Sequence, residues 1–414
     1  MVFVTALVAI VAGCGSVLIN SMRPSSSEDA SATKAESITT TAATISGGDA
    51  SVPAPSGPTD SPPPSLATNC SVDVSKPLQS WLASLPADQS VIVPPGTCYL
   101  VDEGIKLKFP QDLTIYGGSY MDETNTPGLG RSGLGRAVFT VLGGNGLTLE
   151  AMHIMGVNPG GYHPKLAFAA GIELEGTAHA TIRGVTISHT YGDGITLDPL
   201  RGGANHNSGT IVAPSSAVTI EKVTVQVAGR QGIAFVSVAG AQVDDVIVQK
   251  TGFTTFDFEA DQPNEGARDV TIDGCEASGG LLFFANGGAG SGHRTGPVTV
   301  EGCTMLGVEG GSAVLVARPG HGPLLRGPFF FVHDRLRCGA SDYVSCIQLS
   351  GARVTISDST LAFPRGSPPE PVYDVGGSSR VTFRGDVVDG YGRRGQSGAK
   401  STVSVIGGHW TPKG

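Results

Sequence analysis

With 414 residues the chain can build one large domain or two ordinary ones, and its 60 glycines follow no collagen-like three-residue period. A net charge of −9 with only 15% charged residues argues against a nucleic-acid partner, because phosphate binding draws on Lys and Arg. Apolar residues are plentiful, so the composition points to a folded protein with very many turns.

Residues 2–12, VFVTALVAIVA, form an apolar run followed by Gly13-Cys14. The tetrad Val11-Ala12-Gly13-Cys14 resembles a bacterial lipobox, in which the cysteine is lipidated and heads the mature chain. Val17-Leu18-Ile19 extends the uncharged run to about 18 residues, enough for an uncleaved membrane anchor, and no Lys or Arg precedes it. Residues 1–23 are therefore expected to be a lipoprotein signal or membrane anchor, with an ordinary cleaved signal as the alternative. Residues 24–68 are rich in Ser, Thr, Ala and Pro, end in Pro62-Pro63-Pro64, and read as a disordered tether. The domain is expected over 69–414.

Six cysteines remain beyond Cys14, an even number that suggests disulfides behind an export signal. Spacing favours Cys70–Cys98 and Cys338–Cys346. Cys275 and Cys303 fill the same slot of successive VTxxGC segments. They form either a stacked disulfide or a stacked pair of buried thiols.

From Lys76, KPLQSWLASLP places Leu78, Trp81, Leu82 and Leu85 at helical spacing. A short helix there would cover the open end of a stacked structure. Beyond it the chain repeats. One series reads GIELEG, GITLDP, GIAFVS, TFDFEA, with inward anchors Ile172, Ile195, Ile233 and Phe256 at steps of 23, 38 and 23. The longer step contains the insertion PLRGGANHNSGTIVA. A second series runs from LTLEAMHI through VTIEKVTV and VTVEGCTM to VTFRGDVV. Three strands of about 4–6 residues with turns fill one such period. A coil of that kind cannot bury its apolar face alone, but a stack of them can. The expected fold is all-β: a right-handed parallel β-helix of three-strand coils with an N-terminal capping helix.

These repeats, with GDGI at Gly192–Ile195, RQGI at Arg230–Ile233 and LPADQSVIVPPGTCYLV, resemble the pectate-lyase-like superfamily of right-handed parallel β-helix proteins over residues 70–410. The resemblance implies that fold and a carbohydrate setting. It does not imply one reaction, since the superfamily includes lyases, hydrolases, esterases, epimerases and adhesins.

Aligning the anchors gives two outward rows: Glu173, Thr196, Ala234, Asp257, and Glu175, Asp198, Val236, Glu259. Carboxylates at about one strand spacing per coil suit acid–base chemistry on a sugar. Glu259, flanked by Asp257 and Asp261, is the expected acid, with Asp198 or Asp257 as base or nucleophile. A lyase would instead neutralise a uronate with Arg230, or with Ca²⁺ held by Asp257, Glu259 and Asp261. His189, His206 and Lys250 are near enough in sequence to join, and Gly202–Ser208 would cover the groove. Glu173, Glu175, Asp193, Gln231 and Asn286 are candidate substrate-binding residues. Downstream, LLFFANGG offers Phe283 as an outward neighbour of Asp257 if Leu282 and Phe284 face in; the other register turns Leu281 and Phe283 in. The expected function is an extracytoplasmic hydrolase or lyase on polysaccharide or cell-envelope glycan, monomeric and membrane-tethered or secreted. The alternative is a non-catalytic glycan-binding, adhesin-like or structural protein.

Overall fold

Segments that alternate apolar and polar residues over three to eight positions bury one face only by stacking on copies of themselves. The computed structural model describes residues 59–60, 62, 65–124, 135–202, 210–260, 262, 264–278, 281–287, 295–306, 314–316, 326–338, 345–363, 370–389, 392–393, 395–398 and 400–410. Cys14, most of the 24–68 segment, His206 and Asp261 lie outside the described residues. Among the described residues the strands form three long sheets, two of 13 strands and one of 11, paired in parallel coil to coil. The architecture is a right-handed parallel β-helix.

Ile172, Ile195, Ile233 and Phe256 pair in register along the 11-stranded sheet and are fully buried. Phe235 and Phe258, two residues further along the same strands as Ile233 and Phe256, stack with ring centroids 4.6 Å apart. The capping helix spans Ser75–Leu82, burying Leu78 and Leu82 while Trp81 and Leu85 pack against the core. It also completes hydrogen bonds at the edge of the first coil. The Glu103 N–H donates to Ser75 Oγ and the Lys106 N–H to Gln79 Oε1, each at 2.9 Å. An open sheet edge would otherwise leave such donors for another chain. Upstream, Thr59–Asp60 pairs with Ser90–Val91 and Leu66 joins the core.

Two of the sheets meet at a sharp corner, and nearly every coil makes it with one left-handed residue. Ala151, Gly184, Lys222, Asp245, Gly274, Gly302, His333, Asp358 and Gly385 all have φ between 51° and 69° there. The next residue points into a column running down the stack. In early coils that column is aliphatic, with Val185, Val223 and Val246. It then becomes polar. Cys275 and Cys303 form a disulfide, the Cys303 N–H donates to Asp334 Oδ1 at 2.8 Å, the Asp334 N–H to Ser359 Oγ, and the Ser359 N–H to Asp386 Oδ1. The other two disulfides are Cys70–Cys98 and Cys338–Cys346. Bonds of this kind persist in oxidising compartments, which places the domain outside the reducing cytoplasm. Among the described residues no helix is long and apolar enough to cross a membrane.

Burial pushes the Asp334 carboxyl up to about 8 and Asp386 to about 7, against the backbone donors that favour their anions. A carboxyl that keeps its proton when folded and loses it when unfolded costs stability as pH rises from its ordinary value to its folded one. Stability in this column therefore falls between about pH 4 and pH 8. Asp334→Asn keeps an acceptor for Cys303. In melting experiments its advantage over the wild type is expected to grow across that window. A constant difference from pH 4 to 8 would show that Asp334 ionises normally.

Candidate functional site

The site is built where chain enters successive strands of the 11-stranded sheet. Asp193 and Gln231 each stand two residues before a buried anchor, Ile195 and Ile233, so the stack sets one beside the other. The Gln231 N–H donates to Asp193 Oδ1 at 3.1 Å, and Thr196 Oγ1 donates to Asp193 Oδ2 at 3.0 Å. Gly194 and Gly232 lie between these residues and the anchors. A Cβ on Gly194 would come within 2.6 Å of the Gly232 carbonyl oxygen, so the close turn excludes side chains.

Strand Thr254–Ala260 follows. Phe256 and Phe258 face the core, leaving Asp257 and Glu259 on the outer face. The Gln231 side chain reaches across, its Nε2 at 2.5 Å from Asp257 Oδ2 and 3.5 Å from Glu259 Oε2. Arg230 completes the group, with Nη1 at 3.6 Å from Asp193 and Nη2 at 3.0 Å from Glu259. Its guanidinium lies 5.6 Å from the centroid of the Phe168 ring. Phe168 belongs to the connection 156–171, more than twice as long as the equivalent 189–194 one coil later. Asn158 anchors that connection: its Nδ2 donates to the Thr190 carbonyl at 2.8 Å, and its own carbonyl meets His189 Nδ1 at 2.8 Å.

The expected rows are placed only in part. Glu173 pairs with Thr196, Thr196 with Ala234, and Ala234 with Asp257. Glu175 pairs with Asp198. The second row then stops, because strand Gln231–Phe235 ends before Val236 and Ser237–Asp244 belongs to another sheet. Glu259 thus overhangs a shorter strand, and the space is taken by Arg230 rather than Val236. Downstream, the structure selects between the two registers of LLFFANGG. Phe283 pairs with Phe256, Phe284 with Asp257, and Asn286 with Glu259.

The outer carboxylates are not all on an open groove. Glu173, Glu175 and Asp198 are buried. Leu200–Arg201 pairs antiparallel with Ile211–Ala213, and this hairpin folds over Gly176, whose added Cβ would lie 2.4 Å from Leu200 Cβ. Beneath it Arg201 forms an ion pair with Glu265, which also feels the charge of Asp198. Residues 203–209 of the insertion lie outside the described residues. Of the calcium set, Asp257 and Glu259 already serve Gln231 and Arg230. Among the described residues no group of three His, Cys, Asp or Glu side chains is arranged to hold a metal. An open groove of about 480 Å³ lies elsewhere, lined by Asp245, Ile247, Glu276 and Thr304. It holds none of Asp193, Arg230, Gln231, Asp257 and Glu259.

The electrostatics divide these groups. Burial pushes Asp257 well above the ordinary carboxylate range, and Glu259 and Asp193 push it further. Its Oδ1 is buried without a hydrogen-bond partner. Burial raises Asp193 to about 6, opposed by Arg230 and the Gln231 N–H. Burial works against the charge on Arg230, but Asp193, Glu259 and Asp257 outweigh it and raise its pKa. Sequence reasoning missed Tyr162, Phe168 and Phe253. The longer connection between Met155 and Ile172 was the available signal for the first two.

Replacing Arg230 by Met leaves buried carboxylates without their counter-charge, which costs on the order of 3 kcal/mol. The loss, measured by urea unfolding, is expected at pH 7.5 and to shrink at pH 5, where Asp193 is protonated. An equal loss at both values would show that Arg230 acts through packing alone.

No protein-family model matches the chain, and no curated protein sequence does. Solved structures do. The endo-xylogalacturonan hydrolase from Aspergillus tubingensis superposes with a TM-score of 0.52 at 13% identity, over 85% of this chain and 100% of that one. The tailspike protein of E. coli bacteriophage HK620, in complex with a pentasaccharide, does so with a TM-score of 0.57 at 12% identity, over 82% of this chain and 62% of its own. A mutant of that tailspike in complex with a hexasaccharide gives 0.57 at 11% identity, over 84% and 63%. At such identities what is shared is the fold: a right-handed parallel β-helix.

Proposed function

We propose that this protein is an extracytoplasmic carbohydrate-active β-helix that hydrolyses glycosidic bonds at the Asp257–Glu259 pair. The observation that carries the reading is the contrast between two carboxyl groups on one strand face. Asp257 is buried and raised well above the ordinary carboxylate range, while Glu259 is part-exposed and paired with Arg230. Gln231 Nε2 lies 2.5 Å from Asp257 Oδ2 and 3.5 Å from Glu259 Oε2, so these two oxygens are at most about 6 Å apart, nearer the separation of a retaining pair than that of an inverting one. Gln231 touches both and fixes their relative placement.

The roles follow from these environments. Asp257 donates its proton to the glycosidic oxygen as the bond to the anomeric carbon breaks. Glu259 takes a proton from the attacking water, whose oxygen joins the anomeric carbon. Alternatively it attacks that carbon itself before water completes the cycle. One water is consumed and the proton on Asp257 is restored. This exchanges the roles expected from sequence, where Glu259 was the acid. Crowding alone did not distinguish the two carboxyls; burial and Arg230 do. Asp198, under the hairpin with Arg201 and Glu265, has no part in the proposed pair.

Elimination is less well supported. It needs a cation to neutralise a uronate carboxyl, and Arg230 already lies between Asp193 and Glu259. The solved structures of like fold, one named a hydrolase and one holding oligosaccharides, support a glycan as ligand. We further infer that Cys14 tethers the domain to the membrane through a lipid, the 24–58 segment acting as spacer.

The test is turnover by the full chain on a panel of cell-wall and uronic-acid polysaccharides, read as new reducing ends and as absorbance of unsaturated product near 235 nm, roughly where elimination products absorb. Reducing ends without the absorbance are expected. Asp257→Asn and Glu259→Gln are each expected to lower kcat by roughly 100-fold or more. The rate of the wild type should fall on the alkaline side as Asp257 loses its proton. Wild-type turnover by Asp257→Asn would remove the catalytic assignment and leave the glycan-binding alternative.

A further inference from the structure

We infer that the surface beside the acid cluster takes a non-acidic glycan, neutral or amino-bearing, whose sugar ring packs against the exposed pair Tyr162 and Phe253. This rests on the hydrolytic reading of the adjacent cluster and adds to it a platform and a substrate class.

Among the described residues most aromatic side chains are buried or half-buried, and those exposed are Phe109 at 59%, Tyr162 at 36% and Phe253 at 45%. Tyr162 and Phe253 are the two that meet, edge to face, with ring centroids 4.6 Å apart. They come from different coils, Tyr162 from the long connection and Phe253 from the turn before strand Thr254–Ala260. Both border the acid cluster. The Phe253 N–H donates to the Arg230 carbonyl at 2.9 Å, setting it one coil from Arg230. Burial raises the Tyr162 phenol, and that phenol also feels the charges of Arg230, Glu259 and Asp193. An exposed aromatic edge beside a few convergent polar groups is how a concave site orients a ring with one apolar face. The C–H face of a pyranose fits that description.

Charge selects the sugar. Three carboxyl groups, Asp193, Asp257 and Glu259, share the single guanidinium of Arg230. Arg201 is engaged by Glu265 under the hairpin. Glu173, Glu175 and Asp198 stand on the same sheet face. Lys106 and Lys108 lie in the second coil before Glu173 and Glu175, toward the capping helix. Lys165 and His163 belong to the connection that carries Tyr162, and the His163 ring lies against Tyr191. A uronate ring at the platform would bring its carboxylate against an already acidic cluster with its cation engaged, which disfavours the anion. A neutral ring avoids that repulsion, and an ammonium group gains attraction.

Titration calorimetry on the full-length Asp257→Asn variant tests this. The substitution copies the protonated acid and blocks turnover. The probes are cellohexaose, chitohexaose, chitosan hexamer and hexagalacturonate. At least one of the first three is expected to bind, with hexagalacturonate at least about tenfold weaker. Adding Tyr162→Ala and Phe253→Ala should weaken the preferred probe by about tenfold without changing the melting temperature. Tighter binding of hexagalacturonate, no binding by any of the three non-acidic probes, or affinity untouched by the two substitutions would overturn the inference. The hydrolytic reading fails separately, if wild-type protein binds the preferred probe and never cleaves it.

Discussion

Parallel stacking puts equivalent residues of successive coils about one strand spacing apart, roughly 4.8 Å. That constraint governs the rest of the molecule. A column of apolar residues satisfies it by packing, as Ile172, Ile195, Ile233 and Phe256 do. A column of polar residues must satisfy it by hydrogen bonding, disulfide formation or protonation. The corner column passes from Val246 through the Cys275–Cys303 disulfide to Asp334 and Asp386 and uses all of these. Burial is the largest cause that raises the Asp334 and Asp386 carboxyls in that column.

The candidate site applies the same rule to chemistry. Asp193 and Gln231 share a slot, and the amide of Gln231 spans to Asp257 and Glu259. Arg230 pairs directly with Asp193 and Glu259 and also attracts the Asp257 charge, but burial and Glu259 outweigh it and raise Asp257 well above the ordinary carboxylate range. An acid and a carboxylate on one strand face arise from unequal neighbours, not from different residue chemistry. The aromatic edge of Tyr162 and Phe253 lies beside that pair because a long connection is pinned over the sheet by Asn158.

Much of the fold was legible because it is written as repetition. The 23-residue step predicted the register of the four anchors, and the spacing of Leu78 and Leu82 predicted the cap. The same-slot cysteines left disulfide and thiol open, and the structure joins them. The site was less legible. GDGI and RQGI already aligned Asp193 with Gln231, yet a glycine-flanked Asp also reads as a turn. Where a strand ends is not written in alternation, so the row Glu175, Asp198, Val236, Glu259 was carried past Asp198, where the pairing stops. Burial of Glu175 and Asp198 depends on a hairpin packing back over the sheet, and Tyr162 meets Phe253 across roughly 90 positions of sequence, a contact that local periodicity does not encode.

The central claim is that the folded chain holds a proton on Asp257 beside Glu259. Carboxyl-carbon NMR of aspartate-labelled protein, with Asp257→Asn to assign the resonance, measures it most directly. The account predicts that the Asp257 signal stays at its protonated shift well past the range in which ordinary aspartates titrate, and that Arg230→Met moves its midpoint upward. A midpoint near 4, typical of an exposed aspartate, would contradict it.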